Sequence, residues 1–167
     1  MRGAGEVERG TWNVEKGESK RRGIVSVELA LTLPLLLLLL FAIAELSLVF
    51  ADESALANAS RQAARAASLG QTIENVQSVA INTVPSNITL TTSNIAMQHR
   101  TLTSGTWSAW TNLADVSNNG VTTNNAASGD QVQVTLTYAH PLVTNLVLKN
   151  MPNGTVTLHG VSVSLRF

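Results

Sequence analysis

From Ile24 to about Ala51 the chain is almost continuously apolar, and beyond that the apolar residues fall into two successive rhythms. The run Leu29 to Ala44 carries no charge, and Leu35 to Leu40 are six consecutive leucines. As a helix, about 27 residues at about 1.5 Å each reach roughly 40 Å, enough for a tilted bilayer crossing. Pro34 lies inside this run, removes one backbone donor, and is expected to kink the helix or loosen its first turns. From Asp52 to Leu69 the first rhythm appears: Leu56, Ala59, Ala63 and Ala66 recur at helical spacings, with Arg61 and Arg65 on another face. Gly70 predicts the C-terminal stop. A mostly alanine stripe lets a neighbouring element come close while burying little area of its own.

The second rhythm is that of strands. Ile73 to Val84 reads as a short helix ended by Pro85, with Ile73, Val76, Val79 and Ala80 on one side. After it, Ile88 and Leu90 alternate with threonines, and Val132, Val134, Leu136 and Tyr138 alternate with Gln133, Thr135 and Thr137. Val156 and Leu158 share one phase, and Val161, Val163, Leu165 and Phe167 share the other, so a bulge or turn is expected at His159-Gly160. Asp115 to Asp130 is rich in Asn, Ser, Gly and Thr and predicts an exposed loop; Pro152-Asn153-Gly154 is a turn signal. The expected fold class is α+β. A long N-terminal transmembrane helix continues into an extracytoplasmic helix, which packs on a small antiparallel sheet of three to five strands. The expected division is 1–23 leader, 24–51 transmembrane helix, 52–84 helical segment and 85–167 β-rich domain.

Charge changes the picture at the N-terminus. Met1 to Gly23 is polar and Gly-rich, ends in Lys20-Arg21-Arg22, shows no apolar periodicity and is expected to lack stable structure. Basic residues stay cytoplasmic, so the N-terminus is expected inside and the C-terminal domain outside. With 11 basic and 11 acidic residues the net charge is zero, which gives no reason to invoke nucleic acid. The chain has no cysteine, excluding disulfides, thiol chemistry and a cysteine-linked lipid anchor.

The junction reads Lys20-Arg21-Arg22-Gly23, then Ile24-Val25-Ser26-Val27-Glu28-Leu29. A basic stretch, a glycine, four uncharged residues, a glutamate and a long apolar helix resemble the type IV prepilin processing site. The resemblance implies cleavage between Gly23 and Ile24 by a membrane aspartyl peptidase. Glycine suits a cleft that binds extended backbone, because no Cβ obstructs it. Cleavage would create an α-amine on Ile24, with Glu28 about 6 Å along the helix from it. A carboxylate at membrane depth is costly unless paired, so Glu28 is a candidate assembly residue, pairing with the Ile24 amine of a neighbouring subunit. The plainer alternative is a shallow Glu28 facing headgroups. Glu45 lies about 32 Å along the helix from Ile24 and is expected on solvated helix surface.

The resemblance extends further. Gly23, Val27-Glu28-Leu29-Ala30-Leu31, Pro34 with its leucine-rich run, Ala44-Glu45 and the stretch Ala59 to Ala67 resemble the N-terminal signature of TadE-like proteins. Asp130 to Tyr138 is similar to the family's strand core, in pattern only. Leu29 departs from the aromatic residue that often follows the family glutamate. The resemblance implies a minor pseudopilin of the Tad/Flp type IVc pilus, initiating or tip-associated and serving adhesion. Its implied partners are the cytoplasmic membrane, other pilins, TadE-, TadF- or TadG-like subunits, prepilin peptidase and the Tad assembly platform.

No catalytic constellation emerges and no cofactor is implied. His99, His140 and His159 lack the short spacing of a zinc site and read as scattered surface histidines. Asp115 and Asp130 lack calcium-loop spacing and read as solvated loop acids. Trp107 and Trp110 read as core or interface packing ahead of ligand binding, because tryptophan buries a large area. The competing function is an exported binding domain: Ala42-Ile43-Ala44 is a small-x-small motif, and signal peptidase cleavage after Ala44 would release a chain beginning at Glu45.

Overall fold

The computed structural model describes residues 12–142 and 154–167, with side chains from residue 25 onward. Two compact units are present, Met1–Ala44 and Glu45–Phe167. Helix α1 spans Trp12–Ser68 and includes Pro34. It begins well before the apolar run, because Glu15, Lys16, Glu18 and Lys20 to Arg22 are all adequate helix formers. The expected lack of structure over Met1 to Gly23 is therefore corrected from Trp12 onward, and its earlier part lies outside the described residues.

In the second unit, the stripe on α1 is the core face. Leu56, Ala59 and Ala63 are fully buried and Ala66 is buried, while Arg61 and Arg65 are exposed. The helix stops at a Schellman-type turn. Gly70 N–H donates to Ala67 O at 3.0 Å and Gln71 N–H to Ala66 O at 3.3 Å, with Gly70 at φ +80°. Helix α2, Ile73–Thr83, follows at once, and the Thr72 side chain accepts from Asn75 N. Val76 and Ala80 are its buried residues. Ile88 and Leu90 are buried as expected but belong to no strand; this stretch is irregular up to a 3-10 turn at Thr92–Asn94. Alternation with threonine reported two inward side chains there, and Pro85 with Ser86-Asn87 turned the backbone away from any ladder.

The strands are β1 (Ile95–Arg100), β2 (Leu102–Thr103), β3 (Thr106–Trp107), β4 (Thr111–Asn112), β5 (Asp115–Asn118), β6 (Val121–Asn124), β7 (Gln131–Pro141) and β8 (Thr155–Leu165). The main sheet has the order β4-β1-β7-β8 and every neighbour is antiparallel. Val132, Val134 and Leu136 of β7 are fully buried and form the centre of the core, facing α1. The expected loop Asp115 to Asp130 contains a hairpin, β5 to β6, turned by Asn119 (φ 52°) and Gly120 (φ 79°). Asn-Gly with both residues at positive φ is the usual two-residue hairpin turn, a signal that polar composition concealed.

The bulge expected at His159-Gly160 is absent. Pairing of β7 with β8 runs unbroken from Gln131↔Leu165 to Pro141↔Thr155. The phase change instead marks a change in which face of β8 is apolar. Val156, Leu158 and Gly160 face α1, whereas Val161, Val163 and Leu165 lie on the opposite, outer face. Gly160 sits where the helix comes closest: a Cβ there would lie 2.5 Å from Leu56 O. The Pro152-Asn153 turn lies outside the described residues.

Candidate functional site

The residues expected to act at the membrane end all fall within α1: Gly23, Ile24, Glu28 and Pro34. Glu28 is exposed, as are Leu29, Leu31 and Leu35 to Leu40. Thr32 Oγ1 donates to Glu28 O at 2.9 Å, doubling up on a backbone acceptor one turn back. Among the described residues there is one helix long and apolar enough to cross a membrane, and its apolar window is almost wholly unburied by the protein. A core helix would be covered; this one leaves its leucines for another apolar phase, which fits a single-pass anchor.

Beyond that run the helix carries two buried acids. Glu45 is 7% exposed, which corrects the expectation of a solvated helix surface; distance along the helix placed it and could not show what covered it. Asp52 is 6% exposed and is the hub of a polar cluster. Its carboxylate accepts from His140 Nδ1 at 2.7 Å and from Asn87 Nδ2 at 3.0 Å. Tyr138 meets the His140 ring edge-on at 6.4 Å between centroids. Burial, and secondarily the nearby Asp52 carboxylate, pushes the Tyr138 hydroxyl above its ordinary pKa. His140 Nε2 is buried and has no hydrogen-bond partner among the described residues. The Asp52–His140 pair ties α1 to the end of β7.

The other histidines divide. His99 Nδ1 lies 3.3 Å from the buried Asp130 carboxylate, which also accepts from Ala127 N at 2.8 Å. His159 alone is exposed, with Thr137 Oγ1 at 3.3 Å. The reading of scattered surface histidines is corrected for His140 and His99. Asp130, expected in solvent, is buried, and Asp115 accepts from Ile73 N at 2.8 Å at the start of α2. Among the described residues no group of three His, Cys, Asp or Glu could hold a metal. Trp107 and Trp110 are half-buried rather than core residues. The Arg100 guanidinium lies over both rings, at 5.0 and 4.5 Å, and its Nε donates to Gln131 Oε1 at 2.8 Å. Each ring thereby gains a cation–π contact without leaving the surface.

Sequence reading passed over Asn124 and Arg166. Buried Asn124 donates through Nδ2 to Ala67 O at 2.7 Å, beside the Gly70 N–H already bound there, and to Gln71 O at 2.9 Å just beyond the end of α1. Arg166 donates to Asn124 O at 3.3 Å and also to Asn124 Oδ1. A cation and an amide thus close the negative end of the helix. Only the Asn119-Gly120 turn, which places Asn124 on a strand returning to the helix, hinted at this in the sequence.

Comparison with known proteins agrees with the anchor geometry. The family model of TadE-like proteins matches residues 23–65, the anchor and most of the buried part of α1. No curated protein and no solved structure matches the chain. TadE-like proteins are pilus components, so the match associates this chain with a Tad pilus and with the membrane. Residues 66–167, including the whole sheet, lie outside the matched segment.

Proposed function

We propose that the protein is a minor pseudopilin that contributes to initiating or capping a Tad/Flp pilus used in adhesion. The observation that carries this reading is the coincidence of the TadE-like match with an exposed apolar stretch of helix that directly follows a basic-Gly junction. In this reading prepilin peptidase cuts after Gly23 on the cytoplasmic face. The new Ile24 amine and Glu28 then lie one helical turn apart, just inside the cytoplasmic end of the apolar run, where an unpaired carboxylate costs free energy. Salt-bridging to a neighbour's amine removes that cost only in the assembled state. Glu28 thereby favours docking of a new subunit at the growing base, and Pro34 leaves the helix locally adaptable while it leaves the bilayer. The domain stays outside the cytoplasm, and the Tad assembly platform and TadF- or TadG-like subunits are its neighbours.

A second reading has one observation in its favour. The second compact unit begins at Glu45, the residue that signal peptidase cleavage after Ala44 would expose. Intact mass of the chain extracted from its native membrane separates the two. Mature protein starting at Ile24 supports the pseudopilin, and a start at Glu45 replaces it with a secreted domain. Glu28→Ala should leave membrane insertion intact and abolish piliation; normal pili in that variant would refute the assembly role.

A further inference from the structure

The outer face of the four-strand sheet holds one fixed cation and nothing that neutralises it. Among its described strand residues Arg100 is the sole Lys or Arg, and there is no Asp or Glu. No carboxylate among the described residues lies within ion-pair reach of the guanidinium. Its Nε–H is spent on Gln131 Oε1 at 2.8 Å, and its terminal N–H groups have no hydrogen-bond partner among the described residues. The rings of Trp107 and Trp110, 5.0 and 4.5 Å away, keep part of their surface in solvent. Two bonds fix this aromatic segment beside the end of β1: Ser108 N–H donates to Thr101 O at 2.9 Å, and Ser108 Oγ accepts from Thr101 N at 3.1 Å.

A row of amides stands next to Arg100 on the same face. Asn112, Gln98 and Gln133 are partners across β4, β1 and β7. None of the three side-chain amides is hydrogen-bonded to a described residue, although Gln98 and Gln133 are half-buried. Each amide both donates and accepts. Neighbouring strands lie about 4.8 Å apart, so the amide row spans roughly 10 Å, and the row of Arg100 and Gln131 runs beside it at roughly 7 Å.

We propose that this face binds a carboxylated saccharide, a sugar of the hexuronic acid class. A saccharide ring has apolar C–H faces and a rim of hydroxyls that donate and accept. Half-buried indoles suit the first, and unpartnered amides suit the second. With Nε occupied, the guanidinium presents its two terminal nitrogens, which grip a carboxylate through two parallel hydrogen bonds. One such cation balances a monoanion, whereas a phosphate dianion finds no second positive charge on the face. An acidic peptide offers the same carboxylate, but its backbone pairs best with an open strand edge, and β1 is flanked by β4 and β7. The site stands on the sheet alone; its use in adhesion rests on the pseudopilin reading above.

The test titrates methyl glucuronide into the isotope-labelled full chain, held in micelles of a sugar-free detergent, and reads the indole N–H resonances of Trp107 and Trp110. Both should shift saturably, with a dissociation constant on the order of 1 mM for so small a ligand. Methyl glucoside, the same ring without the carboxylate, should bind at least about tenfold more weakly. Arg100→Gln should erase that preference, and Arg100→Lys should not restore it, because an ammonium lacks the two-pronged geometry. Gln133→Ala breaks no internal hydrogen bond, so it should weaken binding about fivefold while the urea midpoint stays unchanged. No saturable shift, equal binding of the glucoside, or undiminished binding by the Gln133 variant would each overturn the proposal. So would N-acetylglutamate or inorganic phosphate moving the same indoles at the same concentration. The mature N-terminus is read separately from native membranes. Processing at Gly23 without glucuronide binding sinks the saccharide site alone, and binding by a chain that starts at Met1 or Glu45 sinks the pseudopilin reading alone.

Discussion

Replacing Gly160 by alanine tests the closest approach in the domain, where helix and sheet meet with no side chain between them. Alanine in a strand normally stabilises by roughly 0.4–1 kcal/mol, because it restricts the unfolded chain. Here the added Cβ would lie 2.5 Å from Leu56 O, 2.7 Å from Leu56 C and 3.1 Å from Leu56 Cβ, whereas ordinary contact begins at 3.4 Å. Backbone atoms cannot rotate aside, so α1 must back off by several tenths of an ångström. A gap of about 0.5–1 Å forfeits a quarter to a half of each dispersion contact across it. Leu56, Ala59, Ala63, Val134 and Leu136 all pack fully buried in this region. Overpacking of this kind costs about 1–3 kcal/mol, and the net effect expected is a loss of about 2 kcal/mol. The assay is urea unfolding of the full chain in detergent micelles, followed by tryptophan fluorescence. With a slope of about 1–3 kcal/mol per molar, the midpoint should fall by about 1 M at unchanged slope. Because the obstructing atoms belong to the Leu56 backbone, adding Leu56→Ala should lower the midpoint again and restore nothing. A midpoint that stays put or rises with Gly160→Ala would refute the close-approach argument.

Asp52→Ala should destabilise the domain by about 3 kcal/mol, since it strands the buried His140 Nδ1 and frees Asn87; a double-mutant cycle with His140→Phe should show coupling above about 1 kcal/mol. Asn124→Ala should cost about 2 kcal/mol by removing the Asn124 donor from Gln71 O and leaving Ala67 O with the Gly70 N–H alone, and hydrogen exchange should accelerate first in the last turn of α1. Tyr138 has a folded-state pKa above its ordinary value, so its contribution is present below the usual tyrosine range and is lost as pH rises through the folded pKa. Tyr138→Phe should therefore flatten the alkaline limb of stability against pH, and an unchanged limb would remove Tyr138 from the account.

Local pattern carried some elements well and left others open. The Leu56-Ala59-Ala63-Ala66 stripe, the stop at Gly70, helix α2 and the alternation of β7 were legible because each is written in adjacent residues, as helical spacing, a positive-φ glycine or a two-residue period. The proposal for the Gly23-Ile24 junction and Glu28 rests on the same kind of local signal, a linear order of charge and apolarity. What stayed hidden involved partners far along the chain. Asp52 meets His140 across 88 residues, and Asn124 meets Ala67 across 57. A polar residue looks the same in sequence whether water or a buried partner satisfies it. Glu45, Asp130 and His140 were accordingly expected in solvent and are buried.

By itself, the sequence determined that an apolar helix precedes a helix with an alanine face and a β-rich region, since hydrophobic periodicity and length are local quantities. Only the tertiary structure decided which face of β8 is covered. Alternation states that a strand has two faces, and the phase change at Gly160 was compatible with a bulge or with a switch of faces. The backbone of Leu56 pressed against Gly160 resolves it, because a helix approaching that closely leaves room for no side chain on the inner face there. Val161, Val163 and Leu165 consequently point outward, on the end strand of the sheet.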